Sequence, residues 1–164
     1  MWNDQRTAAQ CETITRAAGG PERVIQFTGN PVLTGFTAPK IVWTREHEPD
    51  NYRRIAKILL PKDYVRYKLT GDFLSEVSDA SGASLFDVSR RTWSDDMLAA
   101  LKIPRGWLPE VTESPVASAK VSAEAAQASG LLAGTPVIAG GGDQAAQAVG
   151  TGVVREGIVS VSSP

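Results

Sequence analysis

The sequence predicts an α/β domain that is helix-rich over its first two-thirds. Three observations predict it. Apolar residues recur at helical spacing between capping residues through most of the chain. Near the end, a short apolar run (TPVIA, 135–139) leads into three glycines, a small-residue helix and an alternating run (IVSVS, 158–162). That strand, turn, helix and strand order belongs to an α/β layer. Hydrophobic residues make up 42% and charged residues 21% of the 164, which is the balance of a chain that buries a core.

The elements follow in order. Residues 4–18 read as a helix capped by Asp4, with Ala8, Cys11, Ile14, Ala17 and Ala18 on one stripe, ended by Gly19, Gly20 and Pro21. A short amphipathic piece covers 22–27, and a turn-rich stretch follows it. Residues 39–48 form the next helix, with Pro39 in its first turn, where a missing N–H costs nothing. A helical turn at 51–57 leads to KILL (57–60), a brief strand or the end of that turn. Residues 61–69 are helical and close at Thr70 and Gly71. The Ser-, Asp- and Gly-rich segment 75–93 reads as loop with a short strand at 83–86. Ser94 caps DDMLAALKI, the proline-punctuated run to Ser122 is extended, and Ser122 opens SAEAAQASG, which Gly130 ends.

Charge and cysteine content exclude several classes. With 17 basic and 18 acidic side chains the formal net charge is −1, so no nucleic-acid footprint is visible and no anionic membrane surface is favoured. Cys11 is the only cysteine and His47 the only histidine. These allow no intrachain disulfide and no Cys/His zinc site, and the site reading includes no metal ligand. No apolar run is long enough to span a bilayer. A reducing, cytoplasmic setting is the expectation. Trp2 directly after Met1, and an alternating run that stops at Pro164, read as cut ends.

The residue that points to chemistry is Asp143. Gly140, Gly141 and Gly142 place it at the mouth of a strand and the start of a helix. There a backbone without side chains can turn sharply and a ligand can approach, and the helix dipole favours a carboxylate. On the glycine string alone, Asp143 reads first as an N-cap. The string is neither a P-loop, since no GK[ST] follows, nor GxGxxG.

Five strings then run in order along the chain: WNDQRT (2–7), TGFTAPK (34–40), LLPKDYVRYKLTG (59–71), SDASGASLFDV (78–88) and GTPVIAGGGDQAAQAVG (134–150). In their order and spacing the chain resembles the FGGY carbohydrate kinases, and within that family the xylulokinases. The resemblance implies a ribonuclease-H-like, actin-like ATPase domain fragment with a helix-rich insertion. Residues 1–152 would belong to the N-terminal sugar-binding domain, and 153–164 would be the first strand leading into a C-terminal domain.

It implies ATP-dependent phosphorylation of D-xylulose, with ATP and Mg2+ as cofactors and a small sugar or polyol as the partner. A homodimer is left open. Asp143 matches the catalytic Asp that takes the proton of the attacking sugar hydroxyl. Gln144 matches the neighbouring amide that holds sugar hydroxyls, and Trp2 matches an indole lining the sugar pocket, so Trp2 and Asp143 are expected close in space. The family's DxGT-type and GTSG-type phosphate turns and its QMHG-type segment are absent from the sequence. The chain alone is therefore expected to be inactive. A kinase for glycerol, gluconate or ribulose, or a catalytically dead sugar-binding module, stays open.

Elsewhere the bland reading leads. His47 is expected in solvent, Cys11 as buried filler and Arg90 and Arg91 in surface ion pairs. Lys40 reads as a solvated helix lysine. Asp79, in SDAS, reads as a bracing turn more than as a cleft wall.

Overall fold

The computed structural model describes residues 3–161. The first helices are α1 (Ala8–Ala17), α2 (Pro21–Thr28), α3 (Thr37–His47), α4 (Pro49–Arg53) and α5 (Pro61–Thr70). Proline stands in the first turn of α2, α4 and α5, where its fixed φ suits the helix and its missing N–H leaves no bond unmade. Asp4 does not cap α1: the N-cap is Thr7, and the Asp4 carboxylate instead accepts from the backbone N–H of Arg6 at 3.0 Å. Gly29 and Gly71 end α2 and α5 in the left-handed conformation, as helix ends often require.

The segment read as loop carries more order than expected: β1 (Leu74–Glu76), the short helix α6 (Val77–Ala80), β2 (Phe86–Asp87) and β3 (Thr92–Trp93). Then come α7 (Asp95–Leu101), β4 (Glu110–Thr112), β5 (Ala117–Lys120), α8 (Ala123–Ser129), β6 (Pro136–Ile138) and α9 (Asp143–Gly150). The two serine caps form as expected, Ser94 accepting from the Met97 N–H and Ser122 from the Ala125 N–H.

The strands pair two by two. β1 runs parallel to β4, while β2 with β3 and β5 with β6 are antiparallel. Beyond β6 the ladder continues irregularly, Ala139 N–H donating to Val116 O and Gly140 N–H to Ser114 O. TPVIA thus supplies a strand. IVSVS does not, over its described part: residues 158–161 join no ladder and lie exposed. A strand holds its shape through a neighbour's N–H and C=O groups, and none is offered here among the described residues. KILL likewise forms no strand; Ile58 N–H bonds Trp107 O in an irregular connection.

The apolar core lies among α1, α2, α3, α7 and the β2–β3 hairpin. Ile14, Leu85 and Met97 are wholly buried, with Val24, Ala38, Val42, Phe86, Leu98 and Leu101 around them. Trp93 packs edge-on against Phe86, ring centres 5.6 Å apart, and donates its indole N–H to Pro109 O at 2.7 Å. This satisfies the polar edge of a buried aromatic. Against one side of this core stand α5, β1 and α6, and they carry the polar groups that meet the glycine turn.

Candidate active site

Asp143 is the first residue of α9, and the N-cap is Gly142. The N-cap reading of Asp143 is therefore replaced by a position inside the first turn, where its carboxylate meets the positive end of the helix dipole. Its Oδ1 accepts from the Gln144 N–H at 2.8 Å. Both Asp143 and Gln144 are exposed. Gly140 has φ +97°, and a Cβ there would lie 3.0 Å from the Lys62 side chain, so backbone conformation and space both call for glycine.

Beneath the turn lies a cluster of charges. Lys62, on the first turn of α5, reaches Asp63 Oδ1 at 2.6 Å, Glu76 Oε1 at 3.7 Å and Asp79 Oδ2 at 3.9 Å. It also donates to Ala139 O at 3.3 Å. Asp63 and Glu76 are buried, and Lys62 and Asp79 partly so. Burial pushes Glu76 up, yet the hydroxyls of Ser114 and Ser78 and the backbone N–H groups of Ser78 and Asp79 outweigh it, holding its carboxyl below the usual range. Asp79 goes the other way. Burial raises it, Lys62 opposes, and the charges of Asp63, Glu76 and Asp143 add to the rise. Asp79 and Asp143 thus share one electrostatic neighbourhood across the glycine turn.

The structure brings Asp143 and Gln144 together on one exposed helix end. Trp2 lies outside the described residues, and so does its expected closeness to Asp143. Asp79 is at the site: a Cβ on Gly142 would sit 3.4 Å from Asp79 Cα. Lys40 is not a solvated lysine, since its ammonium donates to Thr34 O at 2.8 Å and Phe36 O at 3.0 Å, and burial lowers its pKa. Arg91 pairs with Glu113 through two hydrogen bonds and Arg90 with Asp87, both on the surface. His47 is exposed and stacks on Trp43, while Cys11 is half-buried.

Sequence reasoning missed Lys62, Glu76, Ser78 and Ser114. A signal for one of them was present: Glu76 precedes two residues whose N–H groups it caps, opening α6. Nothing local ties that cap, or Ser78 beside it, to Gly142, which lies 64 residues beyond Ser78.

Among the described residues no group of three or more His, Cys, Asp or Glu is arranged to hold a metal ion. Lys62, beside the turn, is engaged by three carboxylates. These residues do not fit a Mg2+ site, and none is assigned to one.

The fold is that of a sugar-kinase-type α/β domain, actin-like and ribonuclease-H-like, as its likeness to solved sugar kinases shows. The crystal structure of xylulose kinase from Rhodospirillum rubrum superposes with a TM-score of 0.87 at 30% identity, over 94% of this chain and 31% of that one. A sequence profile described as the FGGY family of carbohydrate kinases, N-terminal domain, matches residues 1–150. The chain belongs to the FGGY family of carbohydrate kinases. It is 47% identical to the xylulose kinase of Escherichia coli K12 over 154 residues, 94% of this chain and 31% of that protein. It is 42% identical to the xylulose kinase of Lactococcus lactis over 165 aligned residues, 99% of this chain and 32% of that protein. The chain thus spans about a third of the length of the curated relatives it matches.

Proposed function

We propose that this chain is the sugar-binding part of a cytoplasmic, ATP-dependent kinase that phosphorylates D-xylulose to D-xylulose 5-phosphate. The observation that carries the reading is an exposed Asp143 in the first turn of α9, on a three-glycine turn. It stands in a chain whose relatives at 42–47% identity are named xylulose kinases. Sugar hydroxyls are weak nucleophiles, and phosphoryl transfer depends mainly on positioning and charge stabilisation. Asp143 orients the hydroxyl and accepts its proton as the phosphoryl group transfers. The Gln144 N–H occupies Oδ1, and the Gln144 amide offers donors and an acceptor to a polyol. Trp2 is assigned to the wall of the sugar pocket, where an indole face covers C–H groups. The groups that hold the phosphates of ATP are assigned to the rest of the enzyme, so the chain alone is expected to turn over no ATP.

The test is steady-state kinetics of the full-length enzyme. Asp143→Asn keeps a hydrogen-bonding group and loses the proton acceptor. It should lower kcat roughly a hundred- to ten-thousand-fold, with the KM for D-xylulose nearly unchanged. Gln144→Ala should mainly raise that KM. Near-normal kcat in the Asp143→Asn enzyme would leave Asp143 a binding or structural residue and refute the proposal.

A further inference from the structure

Three backbone groups of the glycine turn are held by polar residues far away in sequence. Ala139 O accepts from Lys62 Nζ at 3.3 Å, Gly140 N–H donates to Ser114 O at 3.2 Å, and Gly142 N–H donates to Ser78 Oγ at 2.9 Å. All three holders converge on Glu76. Ser78 Oγ lies 2.8 and 2.9 Å from its two carboxylate oxygens, Ser114 Oγ donates to Oε2 at 2.7 Å, and Lys62 Nζ stands 3.7 Å from Oε1. Glu76 itself has no exposed surface.

The geometry has a direction. A serine hydroxyl has one proton and two lone pairs. An ionised carboxylate only accepts, so it draws the Ser78 proton toward itself. That leaves a lone pair of the same oxygen for the Gly142 N–H. The charge on Glu76 therefore selects the rotor state of Ser78 that can hold the turn. Asp143 is the next residue, and no residue of α9 is buried, so the helix has little else to fix its start.

We infer that Glu76, acting through Ser78, is a positioning residue that sets where the Asp143 carboxylate meets its substrate. This rests on the reading of Asp143 as the proton acceptor. Glu76→Gln sharpens it. Each Glu76 carboxylate oxygen accepts from a backbone N–H, of Ser78 or of Asp79, as well as from the Ser78 hydroxyl, so an amide NH2 in either place meets donors and loosens the hold on Ser78.

The experiment is a double-mutant cycle in the full-length enzyme, with thermal melts to confirm folding. Ser78→Ala and Glu76→Gln should each lower kcat roughly tenfold when Asp143 is present, with a smaller change in the KM for D-xylulose. Ser78→Thr, which keeps the hydroxyl, should restore most of the loss. In the Asp143→Asn background the same two substitutions should have little further effect on kcat, because the group they position is already disabled. Equal losses in both backgrounds would make the network merely structural and overturn the inference. Unchanged kcat in a folded Ser78→Ala enzyme, with Asp143→Asn inactive, would overturn it while leaving the Asp143 reading intact. If Ser78→Ala fails to fold, the Glu76→Gln arm decides in the same way. A normal kcat for Asp143→Asn would remove both readings.

Discussion

Two regions of this molecule solve the same problem by opposite means. The helical region packs Ile14, Leu85, Phe86 and Met97 out of water and makes few polar demands. The region around the glycine turn buries Asp63 and Glu76 instead, while α9 buries nothing and leaves Val149 68% exposed. Apolar burial is non-directional and roughly proportional to area. It holds helices together without dictating where one atom sits. Hydrogen bonds dictate distance and angle. A carboxylate in the role proposed for Asp143 needs that kind of constraint, since misplacement by about 1 Å can cost a hundredfold in rate. The chain spends directional bonds where position matters and area where only cohesion does.

The largest expected effects test whether the contrast is real. Phe86→Ala, in the apolar region, should lower stability by about 3–5 kcal/mol, much the same at pH 5 and pH 8, because no titrating group is involved. Glu76→Ala should cost about 3 kcal/mol, since it strands the N–H groups of Ser78 and Asp79 and the Ser114 hydroxyl. Its cost should depend on pH. The native Glu76 carboxyl is held below its ordinary 4.5, so it contributes stability that is complete above that value. The contribution is lost as pH falls through the native value. Urea denaturation of both variants at pH 3, 5 and 7 separates them. A Glu76→Ala cost that stayed constant into acid would erase the distinction.

Two glycines sharpen the comparison at smaller scale. Gly130 and Gly140 both have positive φ, +77° and +97°. A Cβ on Gly130 meets nothing within 4 Å, whereas one on Gly140 meets the Lys62 stem at 3.0 Å. Gly130→Ala should cost about 1 kcal/mol from backbone conformation alone. Gly140→Ala should cost more, within the roughly 1–3 kcal/mol of a strained backbone position, and should also lower kcat by moving Lys62. Chemical denaturation and kinetics on the pair read both effects. Equal stability loss and equal kcat would mean that Lys62 gives way freely.

The same division explains what the sequence disclosed. Helices α1, α3, α5, α7 and α8 were legible because their signals are local: apolar spacing, Pro39 and Pro61 at starts, Ser94 and Ser122 as caps, Gly71 and Gly130 as stops. The place of Asp143 and Gln144 at the start of a helix was legible from the glycine run before them. β1 was not, because Ser75 and Glu76 are buried polar residues where a strand reader looks for alternating apolar ones. Glu76, Ser78 and Lys62 were hidden for a related reason. A charged or hydroxyl residue looks solvated until its partners are known, and the partners that tie Ser78 and Lys62 to the turn lie 64 and 77 residues away.

The smallest expected effect has the least obvious sign. Asp79 is partly buried beside three other carboxylates, and its native pKa lies above the ordinary 3.8, first through burial, with Lys62 opposing and Asp63, Glu76 and Asp143 adding to the rise. Between 3.8 and that native value the folded chain binds more protons than the unfolded one, so stability falls as pH rises across the interval. Above it, the ionised carboxylate is a standing penalty. Asp79→Asn removes the charge and keeps the shape, and should raise Tm at pH 7 by no more than a few degrees, with the gain vanishing below pH 3.8. The competing term is the loss of a partner for Lys62. That loss is minor, because Lys62 keeps Asp63 at 2.6 Å and Glu76 at 3.7 Å, while Asp79 is the most distant of the three at 3.9 Å. Thermal melts of both proteins at pH 3.5 and pH 7 give the answer. A variant less stable than the parent at pH 7 would mean that Lys62 needs Asp79 after all, and that the carboxylates around the turn are balanced rather than crowded.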